Sequence, residues 1–153
     1  MSETKVIYAD EDEMKDAVRE AAAALRDGEI VGLPTETVYG LAADALNPDA
    51  VAKVFAAKER PSFDPLIVHI ASRGDLKNVA VVPDDIAETV NKLTSAFWPG
   101  PLTIILPKHA DIPDLVTSGL PTVAVRQSAH PIFRAINKEL GRPIAAPSAN
   151  RFG

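Results

Sequence analysis

Cysteine is absent from the 153 residues, which excludes disulfides and thiolate-bound zinc. Long apolar runs are missing as well, and none approaches the roughly 18 residues needed to cross a bilayer. The first five residues, Met1-Ser2-Glu3-Thr4-Lys5, carry no basic region followed by an apolar run, so no secretory signal is read and the cytoplasm is the expected location. Basic charge is scarce: 16 Lys and Arg against 21 Asp and Glu give a net charge of −5. That balance argues against a general nucleic-acid binder and leaves room only for a local basic pocket. There is no Walker phosphate loop, no Gly-x-Gly-x-x-Gly fingerprint and no Gly-x-Ser-x-Gly elbow around Ser148. The three histidines, His69, His109 and His130, lack metal-ligand spacing, so no metal site is predicted.

What is present describes an ordinary soluble globule, 46% hydrophobic and 24% charged, long enough for one domain burying roughly two thirds of its unfolded surface. Its central feature is Gly32-Leu33-Pro34-Thr35-Glu36-Thr37-Val38-Tyr39-Gly40-Leu41. Residues 29–33 read as a short buried strand, ended by Pro34 because proline has no N–H for a sheet ladder. Two threonine hydroxyls, a carboxylate and a phenol then crowd between apolar flanks. Such a run fits a ligand-facing loop on a rigid scaffold, and equally a Thr-rich turn capping the next element.

The remaining chain alternates strand and helix. A first strand is predicted at 5–8. A helix opened by the acidic residues 10–13 follows, with Met14, Val18, Ala21, Ala22 and Leu25 inward and Gly28 as its stop. Asn47-Pro48 is a helix start with asparagine as N-cap, and Pro61 should end that helix at Arg60. Strands are expected at 65–70, 102–106, 122–126 and 144–146. Helices are expected from Pro83, with Ile86, Val90, Leu93 and Phe97 on one face, and from Pro131 to the Gly141 stop. The predicted class is a layered α/β domain with helices packed on a mixed sheet. The chain ends at Gly153 just after a strand-like run and a polar turn, which predicts a domain cut short.

The polar residues hardest to explain structurally stand at element ends: Thr35, Thr37, Tyr39, Lys58, Arg60, His69, Arg126, Ser148 and Asn150. Ligands of open α/β sheets bind at strand ends. Lys58 and Arg60 suit a polyphosphate, yet cations at a helix C-terminus also complement the dipole. His69 reads either as a buried strand residue or as the neighbour of a bound carboxylate. Ser148 and Asn150 form an Asx or Ser turn on their own. The residues alone lead to an α/β domain with an anion-friendly cleft.

Six runs in register then resemble the YrdC/TsaC family of threonylcarbamoyl-AMP synthases: residues 34–41, Lys58-Glu-Arg-Pro61, Asp64-Pro-Leu-Ile-Val-His-Ile70, Trp98-Pro-Gly-Pro-Leu-Thr103, Val123-Ala-Val-Arg126 and Pro147-Ser-Ala-Asn150. The resemblance covers nearly the whole chain and implies a twisted YrdC/RibB-like sheet whose concave face holds the substrates. It further implies condensation of L-threonine, bicarbonate and ATP, with Mg²⁺, into threonylcarbamoyl-AMP and pyrophosphate, and partner proteins that pass the threonylcarbamoyl group to tRNA. On that resemblance, Thr35, Thr37, Tyr39, His69 and Arg126 bind threonine. Lys58, Arg60, Asp64, Thr122, Ser148 and Asn150 lie at ATP, with Lys58 and Arg60 stabilising the charge of the reacting phosphoryl group. Two departures stand out. Asp64 replaces the asparagine of many members, and Ser128 replaces the proline usual after the arginine strand, which predicts a looser loop. Family members also continue for several tens of residues beyond the Ser-x-Asn turn, into a segment that helps close the nucleotide site. Three alternatives stay open: a non-catalytic module binding double-stranded RNA, an inactive fragment, and a domain of a larger carbamoyl-transfer enzyme.

Overall fold

The apolar residues of each element decide which face of a central sheet it covers. The computed structural model describes residues 4–10, 12–36, 38–59 and 64–147. In order these are α1 (Met14–Arg26), β1 (Val31–Pro34), β2 (Tyr39–Asp44), α2 (Pro48–Lys58), β3 (Ile67–His69), α3 (Leu76–Val79), α4 (Ala87–Phe97), β4 (Ile104–Pro107), β5 (Thr122–Arg126), α5 (Pro131–Leu140) and β6 (Ile144–Ala145). The strands form one six-stranded sheet ordered β1-β2-β6-β3-β5-β4. Only β3 and β5 run parallel; the other neighbours are antiparallel. The predicted mixed α/β class is what the chain adopts.

Side chains alternate across a strand, and here the alternation sorts two cores. One packs Val68, Val125, Leu106 and Ala145 of the sheet against Val51, Val54 and Phe55 of α2, Leu76 and Val79 of α3, and Val90 of α4. The other packs Leu33, Ala42 and Ile144 against Val18, Ala22 and Leu25 of α1 and Phe133, Ile136 and Leu140 of α5. Phe133 and Ile144 are fully buried there, each contributing about 1.5–3 kcal/mol by the usual burial scale.

That second layer stops short of the far strands. Ile67, Ala124 and Ile105 lie side by side across β3, β5 and β4 on the same face. Ile67 and Ala124 are only half-buried, and Ile105 is 67% exposed. The result is an open sheet face walled on one side by α5.

Local signals placed several elements as read. The Asn47 side chain accepts from the N–H groups of Asp49 and Ala50, with Pro48 at the first helical position. Pro131 opens α5 in the same way, and Gly141 closes it at φ +70°, a left-handed conformation that favours glycine. A Cβ on Gly100 would stand 2.4 Å from the Phe97 carbonyl oxygen, so the turn after α4 requires glycine there.

Four expectations are corrected. Residues 5–8 form no strand, because Val6 and Tyr8 are 65% and 73% exposed and no ladder partner meets them among the described residues. The strand read at 29–33 begins at Val31, and β2 immediately follows the Thr-rich stretch, which is therefore a hairpin turn whose strands pair Pro34 with Tyr39. The helix expected to reach Arg60 stops at Lys58, since Glu59 is left-handed with φ 54°. On α4 the buried residues are Val90 and Thr94, while Ile86, Leu93 and Phe97 are exposed. Thr94 is tolerated inside because its hydroxyl donates to the Val90 carbonyl at 3.0 Å.

Candidate functional site at the open sheet face

His69 ends β3 and Arg126 ends β5, and the parallel register sets them directly side by side. Residues two apart share a face, so Ile67 and His69, and Thr122, Ala124 and Arg126, all belong to the face carrying the open surface. The Arg126 guanidinium is held by Thr103, whose hydroxyl oxygen accepts from Nε at 3.0 Å and from Nη2 at 2.7 Å. These bonds fix the plane of the cation and leave the rest of its donor fork for an anion.

His69 is buried against Phe133, ring centroids 4.7 Å apart. Its Nδ1 is buried without a hydrogen-bond partner among the described residues. Burial, and then the positive charge of Arg126, push its pKa down to about 4. The imidazole is therefore neutral near pH 7. Because the folded pKa lies below the ordinary histidine value of 6.5, the unfolded chain takes up a proton that the folded chain refuses between these values. Stability is gained as pH rises through that window and lost as pH falls through it. From about pH 7 to about pH 4.5, His69 should cost about 2 to 3 kcal/mol of unfolding free energy. Urea unfolding of wild type and His69→Phe at both pH values checks this: the variant should lose less by that margin, and equal losses would contradict it.

The hairpin turn folds over toward these two residues. Thr35 closes it, its hydroxyl donating to the Val38 carbonyl and accepting from the Val38 N–H at 3.2 Å. Glu36 accepts from the Ser128 hydroxyl across 92 positions of sequence, and Ser128 in turn accepts from the His130 N–H at 3.2 Å. Burial pushes the Glu36 pKa up, but the bonds from Ser128 and from the Ala129 backbone, with the charge of Arg126, outweigh it and hold the carboxyl below the ordinary value. Glu36, Arg126 and His69 thus form one electrostatic group. Ser128 is buried and doubly bonded, so the loosening expected from serine in place of proline is not found: the hydroxyl ties the loop down.

The other candidate residues are distributed around this centre. Tyr39 is 65% exposed at the start of β2. Thr122 begins β5, about 13 Å of extended strand from Arg126. Lys58 is a buried cation, 3% exposed, in the last turn of α2. Asp64 is half-buried ahead of β3. Thr37, Arg60, Ser148 and Asn150 lie outside the described residues. The carbonyl of Pro147, the last described residue, accepts from the Leu41 N–H at 2.9 Å. His109 and His130 accept from the nearby backbone N–H groups of Asp111 and Ile132, so both serve turns and caps. Among the described residues no three His, Asp or Glu side chains gather to hold a metal ion, and no helix is long and apolar enough to cross a membrane. Sequence reasoning missed Thr103, Glu36 and Ser128 as site residues. Only the lone carboxylate among threonines could have signalled one of them.

The family model described as "Telomere recombination", Sua5_yciO_yrdC, matches residues 23–153. The chain belongs to this family. It is 51% identical over 137 residues to a threonylcarbamoyl-AMP synthase of Bacillus subtilis, covering 89% of this chain and 39% of that protein. A threonylcarbamoyl-AMP synthase of Halorhodospira halophila is 43% identical over 134 residues, covering 87% and 68%. Among solved structures, Pyrococcus abyssi Sua5 complexed with L-threonine superposes with a TM-score of 0.84 at 49% identity, covering 89% of this chain and 39% of that one. The chain thus spans well under half the length of two of these relatives. The likeness includes the sheet that carries His69 and Arg126.

Proposed function

We propose that the chain is a single YrdC-like domain of an L-threonylcarbamoyladenylate synthase, a cytoplasmic nucleotidyltransferase that joins L-threonine, bicarbonate and ATP for tRNA modification. The observation that carries this reading is the pairing of a planar, pre-oriented cation, Arg126, with a neutral buried imidazole, His69, on an open face. The chain's similarity to a structure complexed with L-threonine supports it. Arg126 receives the threonine carboxylate as a fork. Neutral His69 can accept or donate a hydrogen bond without adding charge beside it. Thr35, Thr37 and Tyr39 close over the amino acid from the hairpin, which Glu36 and Ser128 hold in place.

The amine nitrogen of threonine attacks the carbon of bicarbonate, with loss of water, to give a carbamate. A carbamate oxygen then attacks the α-phosphorus of ATP, and pyrophosphate leaves. No protein nucleophile is needed; positioning and charge stabilisation suffice. Lys58 and Arg60 face the charge that develops on the phosphoryl oxygens. Asp64, Thr122, Ser148 and Asn150 bind the remainder of the nucleotide. The polyphosphate would bring Mg²⁺ with it, and that ion would offset part of its charge. The product passes to proteins that transfer the threonylcarbamoyl group to tRNA, which itself touches this domain weakly.

A thermal-shift titration tests the binding half of this reading. L-Threonine should raise the melting temperature of wild type and leave that of His69→Phe unmoved. Tight, salt-sensitive RNA binding with no response to threonine would replace this reading with a double-stranded RNA module.

A further inference from the structure

A second concavity opens just past the carboxyl end of β3, lined by neither His69 nor Arg126. It encloses about 380 Å³, within the range of small-molecule sites. Its floor is apolar, formed by the buried Ile70 and Val79. One wall carries Arg134 and Lys138, one turn apart on α5, and Arg142 just beyond its Gly141 stop. Four-residue spacing aligns the two helical cations on one side of α5. Arg142 is anchored, its Nη1 3.1 Å from the buried Asp44 carboxylate. Neither Arg134 nor Lys138 has a carboxylate partner among the described residues. The opposite wall holds Ser72, whose hydroxyl donates to Asp75 at 3.1 Å, and Asn78.

Two cations without a carboxylate partner among the described residues, beside a third anchored on Asp44, make a local positive patch on a chain of net charge −5, and such a patch draws anions. A lone inorganic anion would leave the Asp75 carboxylate facing like charge, since an ionised carboxylate only accepts hydrogen bonds, whereas sugar hydroxyls can donate to it. We propose that this cavity binds a ribose phosphate unit, with its phosphate on Arg134, Lys138 and Arg142 and its hydroxyls on Asp75 and Asn78. The unit can come from a free sugar phosphate or from an RNA chain. Neither His69 nor Arg126 lines the site, and the binding test below does not depend on the synthase reading.

Ribose 5-phosphate and a short single-stranded RNA are the probes, with ribose as control, read by amide chemical-shift changes in the full chain. Saturable shifts confined to residues 70–79 and 134–143 with ribose 5-phosphate mark a free ligand. The same shifts with RNA alone, weakening as salt rises, mark an RNA backbone. In either case Arg134→Glu/Lys138→Glu should weaken binding about tenfold or more. Both side chains are exposed, so the fold should survive; if it does not, Lys138→Gln reads the same contact with less disturbance. No shift at these residues with either probe, or undiminished binding by the variants, overturns the proposal.

Discussion

Arg126→Ala is expected to weaken use of L-threonine by about a hundredfold or more, expressed mainly in KM. A guanidinium pre-oriented by two bonds to Thr103 offers a carboxylate charge-assisted bonds worth about 3 kcal/mol, which is about two decades of affinity. Losing it also removes the positive charge that helps keep His69 neutral. Arg126→Lys should recover little, because an ammonium cannot reproduce the planar fork. Steady-state kinetics with threonine as the varied substrate decide the matter; an unchanged KM in both variants would remove Arg126 from the threonine site.

Lys58→Ala should act on turnover instead, lowering kcat by about 10² to 10³ while the KM for threonine stays near its wild-type value. Lys58 is a cation only 3% exposed in the last turn of α2, and a charge held away from bulk water acts more strongly on charge that develops beside it. Lys58→Met keeps the aliphatic stem that packs at the end of α2 and removes only the charge. It should lose as much turnover as the alanine variant while melting closer to wild type. Matching losses of melting temperature and turnover across the two variants would make Lys58 a structural cation.

The fold was legible wherever the signal is local. Asn47-Pro48 specified the start of α2 because capping is settled within four residues, and Pro131 with Gly141 bracketed α5 for the same reason. Non-local pairing was hidden. Tyr39–Asp44 carries small residues and no polar alternation, and its strand character arises from neighbours on both sides, β1 and β6. Conversely, residues 5–8 have the composition of a strand, yet no neighbour meets them among the described residues.

The site divides along the same line. His69 and Arg126 could be read as polar groups ending apolar strands, although only the sheet order shows that the two strands are adjacent. The bond between Glu36 and Ser128 joins positions 92 residues apart. No sequence spacing encodes it, and serine in place of the family's usual proline read instead as a looser loop.

The most direct test of the central claim is mass spectrometry of the products formed from ATP, Mg²⁺, L-threonine and ¹³C-bicarbonate. The expected result is an adenylate whose mass increases by one unit with the labelled carbon, formed only when threonine is present and accompanied by pyrophosphate. Unlabelled adenylate, or pyrophosphate release that ignores threonine, would contradict the assignment of the Arg126 and His69 face to carbamate chemistry.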